Sequence, residues 1–97
     1  MRYNVENETL TLFLEGEVNS FTAEDTEREI DNIIADNRFK RVVFDLENLT
    51  YISSAGLRII VRIKQAYDDT SLVKVPESAY EIFEMVGFQN LMKIERL

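Results

Sequence analysis

The spacing of apolar residues switches repeatedly between a period of two and a period near 3.6, and that alternation leaves few architectures open to the chain. Thr9-Leu10-Thr11-Leu12-Phe13-Leu14-Glu15 alternates as a strand with one buried face. Val5 belongs to a strand before it, and the polar Glu6-Asn7-Glu8 between them reads as a tight hairpin. Gly16 ends the second strand, and Glu17-Val18-Asn19-Ser20 reads as a polar turn. Thr22 then precedes Glu24 and Asp25, acids that suit the positive end of a helix. Ala23, Thr26, Ile30, Ile33 and Ile34 recur at helical spacing to about Asn37.

Arg41-Val42-Val43-Phe44-Asp45-Leu46 is a short apolar run, consistent with a strand buried on both faces. Strand, helix and strand in this order imply a right-handed parallel crossover. A second unit follows: Asn48-Leu49-Thr50-Tyr51-Ile52 runs into Ser53-Ser54, and a helix continues from Gly56 to Lys64. The β-branched Ile59-Ile60-Val61 taken alone could pass for a strand, but the serines before it and Arg58 and Arg62 at spacing four favour the helix. Its buried stripe is read as Leu57, Ile60, Val61 and Lys64. Leu72-Val73-Lys74-Val75 is a further strand closed by Pro76, and a third helix starts at Glu77-Ser78 with Gly87 as its left-handed stop. Lys93 to Leu97 reads as a last strand.

The predicted order is β-β-α-β-α-β-α-β: one α/β domain over residues 1–97, with a small mixed sheet of about four to five strands and helices packed on it. The expected core is Leu12, Leu14, Ile30, Ile34, Val43, Phe44, Leu46, Leu57, Ile60, Val61, Val73, Ile82 and Phe83.

Composition bears on function mainly by exclusion. The chain has no Cys and no His, which removes thiol catalysis, disulfides, a Ser-His-Asp triad and the common zinc sites. A net charge of −7 argues against binding nucleic acid or an anionic membrane surface. No segment has the ~18 consecutive apolar residues of a membrane span, and the polar start lacks the apolar run of a signal peptide, so a cytoplasmic location is expected. Glu24, Asp25, Glu27, Glu29 and Asp31 spread around a helix as a solvated surface rather than a metal site. Asp45 and Glu47 lack a third ligand. No catalytic residue, metal ligand or cofactor is assigned, and the chain is not expected to be an enzyme.

The strand-to-helix junction Tyr51-Ile52-Ser53-Ser54-Ala55-Gly56-Leu57-Arg58 is more specific. Backbone N–H groups without helical partners converge there with the positive end of the helix dipole. Ser53 or Ser54 can cap the helix, a contribution of about 1 kcal/mol. Either can instead carry a phosphate that the dipole tolerates and that adds about −1.5 to −2 charges to a docking surface.

The same junction resembles the signature loop of STAS domains of the anti-sigma factor antagonist type, the bacterial partner-switching proteins. Gly16-Glu17-Val18-Asn19 with Thr22-Ala23 resembles the family's early turn and following helix. Val42 to Leu46 is similar to its central strand, and Ile82 to Phe88 to its late helix and glycine stop. By position, Ser54 matches the family's phosphorylated serine, and Ser53, which replaces an acidic residue, becomes a second candidate; Asn19 replaces another acid.

The resemblance implies partner contacts through Asn19, Thr22, Ser53, Ser54, Ala55, Gly56, Leu57 and Arg58. The implied partner is an anti-sigma factor with serine kinase activity, bound by the unphosphorylated form and released on phosphorylation; a serine phosphatase reverses the step. ATP and magnesium belong to the kinase. A phosphorylation-independent STAS subunit or scaffold in a transporter or sensor complex is the alternative. Relatives generally add a last helix after the position of Leu97. An uncovered apolar strip near Phe88, Leu91 and Met92 is therefore expected, a site for self-association as a weak homodimer or for a partner.

Overall fold

The structure, a computed structural model, describes residues 1–97. Its elements are β1 (Tyr3–Glu6), β2 (Thr9–Phe13), β3 (Gly16–Val18), α1 (Ala23–Asp36), β4 (Arg41–Asp45), β5 (Leu49–Ile52), α2 (Ser54–Ala66), β6 (Thr70–Val75), α3 (Glu77–Met85) and β7 (Lys93–Arg96). A single 3₁₀ turn, Phe88–Asn90, follows α3. Five strands form a mixed sheet in the order β1-β2-β4-β6-β7, with β1 antiparallel and the rest parallel. The predicted mixed α/β architecture with three helices is present.

The two-residue loop Asn7-Glu8 closes the β1–β2 hairpin with φ of 52° and 63°, the left-handed pair that matches the twist of adjoining strands. Gly87, at φ 83°, ends α3 in the left-handed conformation that a side chain would strain.

Where the segment Glu17–Ser20 was expected to be a turn, its first part is strand. Gly16–Val18 pairs in parallel with Leu49–Ile52 as a separate two-stranded ribbon, with a register shift between Gly16 and Glu17. Three residues are too few for periodicity to show, and the pairing is decided by Val18 and Ile52, both buried.

β4 is not buried on both faces. Val42 and Phe44 point into the core with no exposed surface, whereas Arg41 and Val43 lie on the opposite face, which no helix covers. Parity does the same in β6, where Leu72 is buried and Val73 is half-buried on the open face. All the helices therefore lie against one face of the sheet, whose other face carries Thr11, Phe13, Val43, Ser71 and Val73 in half-exposed positions.

In α2 the buried stripe is Gly56, Ile59, Ile60 and Ile63. Leu57 and Val61 are only half-buried, so the helix is rotated by about one residue from the stripe read in the sequence. Three consecutive β-branched residues satisfy either rotation, and the choice falls to Gly56, which must face the ribbon. Leu10, Leu12, Ile30, Phe44, Leu46, Ile60, Ile63, Leu72 and Phe83 form the inaccessible centre of the core. Each contributes roughly 1.5–3 kcal/mol relative to an exposed position.

Candidate functional site

The site is a corner where the ribbon strands end and two helices begin. β5 stops at Ile52, and Ser53 takes an extended backbone (φ −94°, ψ 175°) while its side-chain oxygen accepts from the Gly56 N–H at 3.4 Å. Ser53 is thus the cap of α2. Ser54 is the first residue of the helix and is exposed, and its hydroxyl has no bond within the chain. The two serines, equivalent in the sequence, have been given different tasks: one satisfies the backbone and the other faces solvent.

Gly56 is buried, and its Cα sits so close to the ribbon that a Cβ there would lie 2.6 Å from Ile52 Cγ1 and 2.9 Å from Val18 Cγ1. Glycine is required by this close approach. The Ser53 N–H donates to the Val18 carbonyl at 2.8 Å, so the start of α2 is bonded to the end of β3.

The neighbouring loop is built around Asn19. Its Oδ1 accepts from the N–H groups of Phe21 (2.8 Å) and Thr22 (3.0 Å), and its own N–H donates to Thr22 Oγ1 at 2.9 Å. Asparagine can do this because its short side chain reproduces a backbone turn. Thr22 occupies the expected position before α1, but its hydroxyl donates to the Glu17 carbonyl at 3.0 Å instead of capping the helix. The loop's exposed tip is Phe21, 90% accessible. Sequence reasoning missed Phe21; an aromatic residue amid polar turn residues was the available signal.

α1 and α2 lie side by side, held by Arg62, which donates to Glu27 at 2.6 Å and to Asp31 at 2.7 Å. The bond to Asp31 and then that to Glu27 push the Arg62 pKa above its ordinary range, so its charge is fixed. Between the two helices runs a groove of about 750 Å³ with Ala23, Ala55, Ile59 and Phe88 among its apolar walls and Arg58 at its rim. Arg58 is exposed, forms no ion pair, and stands one helical turn beyond Ser54. No acidic residue occupies the first turn of α2.

Of the expected partner-facing residues, Ser54 and Arg58 are exposed, and Asn19, Thr22, Ser53, Ala55 and Leu57 are half-buried around the same corner. Gly56 lies beneath it. The apolar strip expected at Phe88, Leu91 and Met92 is largely absent: Phe88 stacks on Phe83 at 5.2 Å, Met92 is 7% exposed, and of the three only Leu91 is open. The larger exposed apolar side chains nearby are Met85 and Val86, at the end of α3. No group of His, Cys, Asp or Glu is placed to hold a metal ion. No helix is long and apolar enough to cross a membrane.

The family model described as the STAS domain matches residues 1–96. The chain belongs to the STAS domain family, and its relatives place it with the anti-sigma factor antagonists. It is 36% identical over 85 residues to BtrV of Bordetella bronchiseptica, provisionally named an anti-sigma factor antagonist, across 84% of this chain and 72% of that protein. Among solved structures, a Thermotoga maritima protein with the same provisional name superposes with a TM-score of 0.87 at 17% identity, covering 99% of this chain and 86% of its own. SpoIIAA of Bacillus in its phosphorylated form has a TM-score of 0.67 at 18% identity, covering 96% and 90%.

Proposed function

We propose that this chain is an anti-sigma factor antagonist whose binding is switched at Ser54. Unphosphorylated, it binds an anti-sigma factor that is also a serine kinase, which frees a sigma factor for transcription in the cytoplasm. The kinase transfers the γ-phosphoryl group of ATP to Ser54 Oγ, ADP and the hydroxyl proton depart, and the modified chain is released. A phosphatase restores the hydroxyl by hydrolysis.

The observation that carries this reading is the division between the serines: Ser53 caps α2, while Ser54 presents an exposed, unbonded hydroxyl at its first position. A phosphate at Ser54 meets the positive end of the helix and has Arg58 four residues on, so it leaves the fold intact. In an interface the same group introduces about −1.5 to −2 charges. Burying such a charge without a partner costs several kcal/mol, and about 2.7 kcal/mol already corresponds to a hundredfold loss of affinity.

The test is calorimetry with the cognate anti-sigma factor on the unmodified and phosphorylated chain and on Ser54→Ala and Ser54→Asp, with thermal melts of each. Similar melting, retained binding by Ser54→Ala and a loss of about tenfold or more on phosphorylation are expected. Equal affinity of modified and unmodified chains refutes the switch and favours the phosphorylation-independent scaffold.

A further inference from the structure

We infer that β1 is a self-complementary docking edge, and that its occupant is the β1 strand of a second copy of this chain, paired antiparallel about a two-fold axis at Asn4. The inference does not rest on the function proposed above. β1 is the outermost strand of the sheet, and all of Tyr3–Glu6 is exposed. The Phe13 N–H donates to the Arg2 carbonyl, and the register pairs Asn4 with Thr11 and Glu6 with Thr9. In an antiparallel ladder bonded pairs alternate, so the N–H and C=O groups of Arg2, Asn4 and Glu6 face β2, and those of Tyr3 and Val5 face outward.

A two-fold axis at Asn4 sets Tyr3 opposite Val5 of the second copy, and Val5 opposite its Tyr3. The four outward groups of each strand then find partners. Tyr3 and Val5 share the face of Leu12 and Leu10, and they are 46% and 36% exposed, so their side chains meet beyond the edge of the core. The same axis sets Arg2 opposite Glu6 and Asn4 opposite Asn4 on the open face. Arg2 already lies on that face, 4.2 Å from the Phe13 ring centroid and paired with Glu15, whereas Glu6 has no ion pair within the chain. Charges that guard an edge against most strands are here complementary to their own copy. A parallel arrangement about the same strand would oppose Glu6 to Glu6, which the charges disfavour.

The other edge is blunted. The β6–β7 register shifts between Leu72 and Val75, and Arg96 is drawn back over the Tyr80 ring at 4.0 Å and to Glu77. One short strand pair buries less than the roughly 1,200–2,000 Å² of stable interfaces, so the dimer is a weak one, with a dissociation constant on the order of 0.1–1 mM.

The experiment is sedimentation over a dilution series, together with amide exchange at each β1 residue. The Tyr3 and Val5 amides are expected to slow with concentration while Asn4 and Glu6, already bonded to β2, do not change. Val5→Pro removes an outward donor at an edge position where proline is tolerated, and is expected to abolish the dimer with the circular dichroism unchanged. Glu6→Lys, which sets a like charge opposite Arg2, is expected to weaken it at least about fivefold. A chain that stays monomeric at about 1 mM overturns the inference. So does a dimer indifferent to both substitutions, or one lost on Leu91→Glu, which would place the contact after α3.

Discussion

Replacing Gly56 by alanine tests the geometry on which the site depends. In an ordinary helix the exchange stabilises by roughly 0.5–1 kcal/mol, because alanine loses less chain entropy. Here the new methyl would arrive 2.6 Å from Ile52 Cγ1 and 2.9 Å from Val18 Cγ1, both on side chains that are themselves buried. Neither atom is the end of a long flexible chain, so relief requires α2 to lift from the ribbon. Two contacts this short put the overpacking in the upper part of its usual range, at about 2–3 kcal/mol, which outweighs the helical gain and leaves a net loss of about 1–2.5 kcal/mol. For a domain of this size that corresponds to a fall of about 4–20 °C in melting temperature. Ile52→Ala removes the nearest atom, so the double variant should be less destabilised than the sum of the single ones by at least about 0.5 kcal/mol. Urea denaturation of the four proteins measures the cycle. A Gly56→Ala chain as stable as the parent, or a strictly additive cycle, would refute the claim that close approach dictates this glycine.

Three further outcomes follow from the structure. Ile60→Ala and Phe83→Ala, at sites with no exposed surface, should each cost about 2–5 kcal/mol in urea titrations, while Val43→Ala on the open face should cost under about 1.5 kcal/mol. Equal losses would contradict the one-sided core. Glu8→Gly should stabilise by about 0.5 kcal/mol, because Glu8 holds φ at 63° and its pair with Lys40 is exposed; a lower urea midpoint would contradict this. The hydrogen bond from Arg2, then that from Asn48, holds the Glu15 carboxyl below its usual 4.5, so its contribution is complete at neutral pH and disappears as pH falls through the lowered value. NMR titration should show the Glu15 carboxyl protonating below its usual 4.5 and returning toward that value in Arg2→Ala.

Much of this was legible in the residues. The β1–β2 hairpin, the three helices, the strand at Leu72 and the Gly87 stop follow from periodicity and turn chemistry, which are local. The ribbon did not, because Gly16–Val18 becomes a strand only by meeting Leu49–Ile52. Nor did the rotation of α2: Ile59, Ile60 and Val61 are equally apolar, and only the contact at Gly56 decides which two are buried. At the site, the sequence placed the serines at a helix start but could not divide capping from exposure. That depends on one oxygen reaching the Gly56 N–H.

The ribbon also determines how the site can move. It shares no strand with the five-stranded sheet, and a two-stranded pair has little stability of its own. What it has comes from Val18, Leu49 and Ile52 beneath it. The Asn19 loop leaves one of its strands and Ser54 leaves the other, and the Ser53–Val18 bond closes the pair at that end. The two loops proposed to face a partner are therefore jaws of one clip. When the clip opens, both are released together, ahead of the sheet, and hydrogen exchange at the Ser53 amide times that opening.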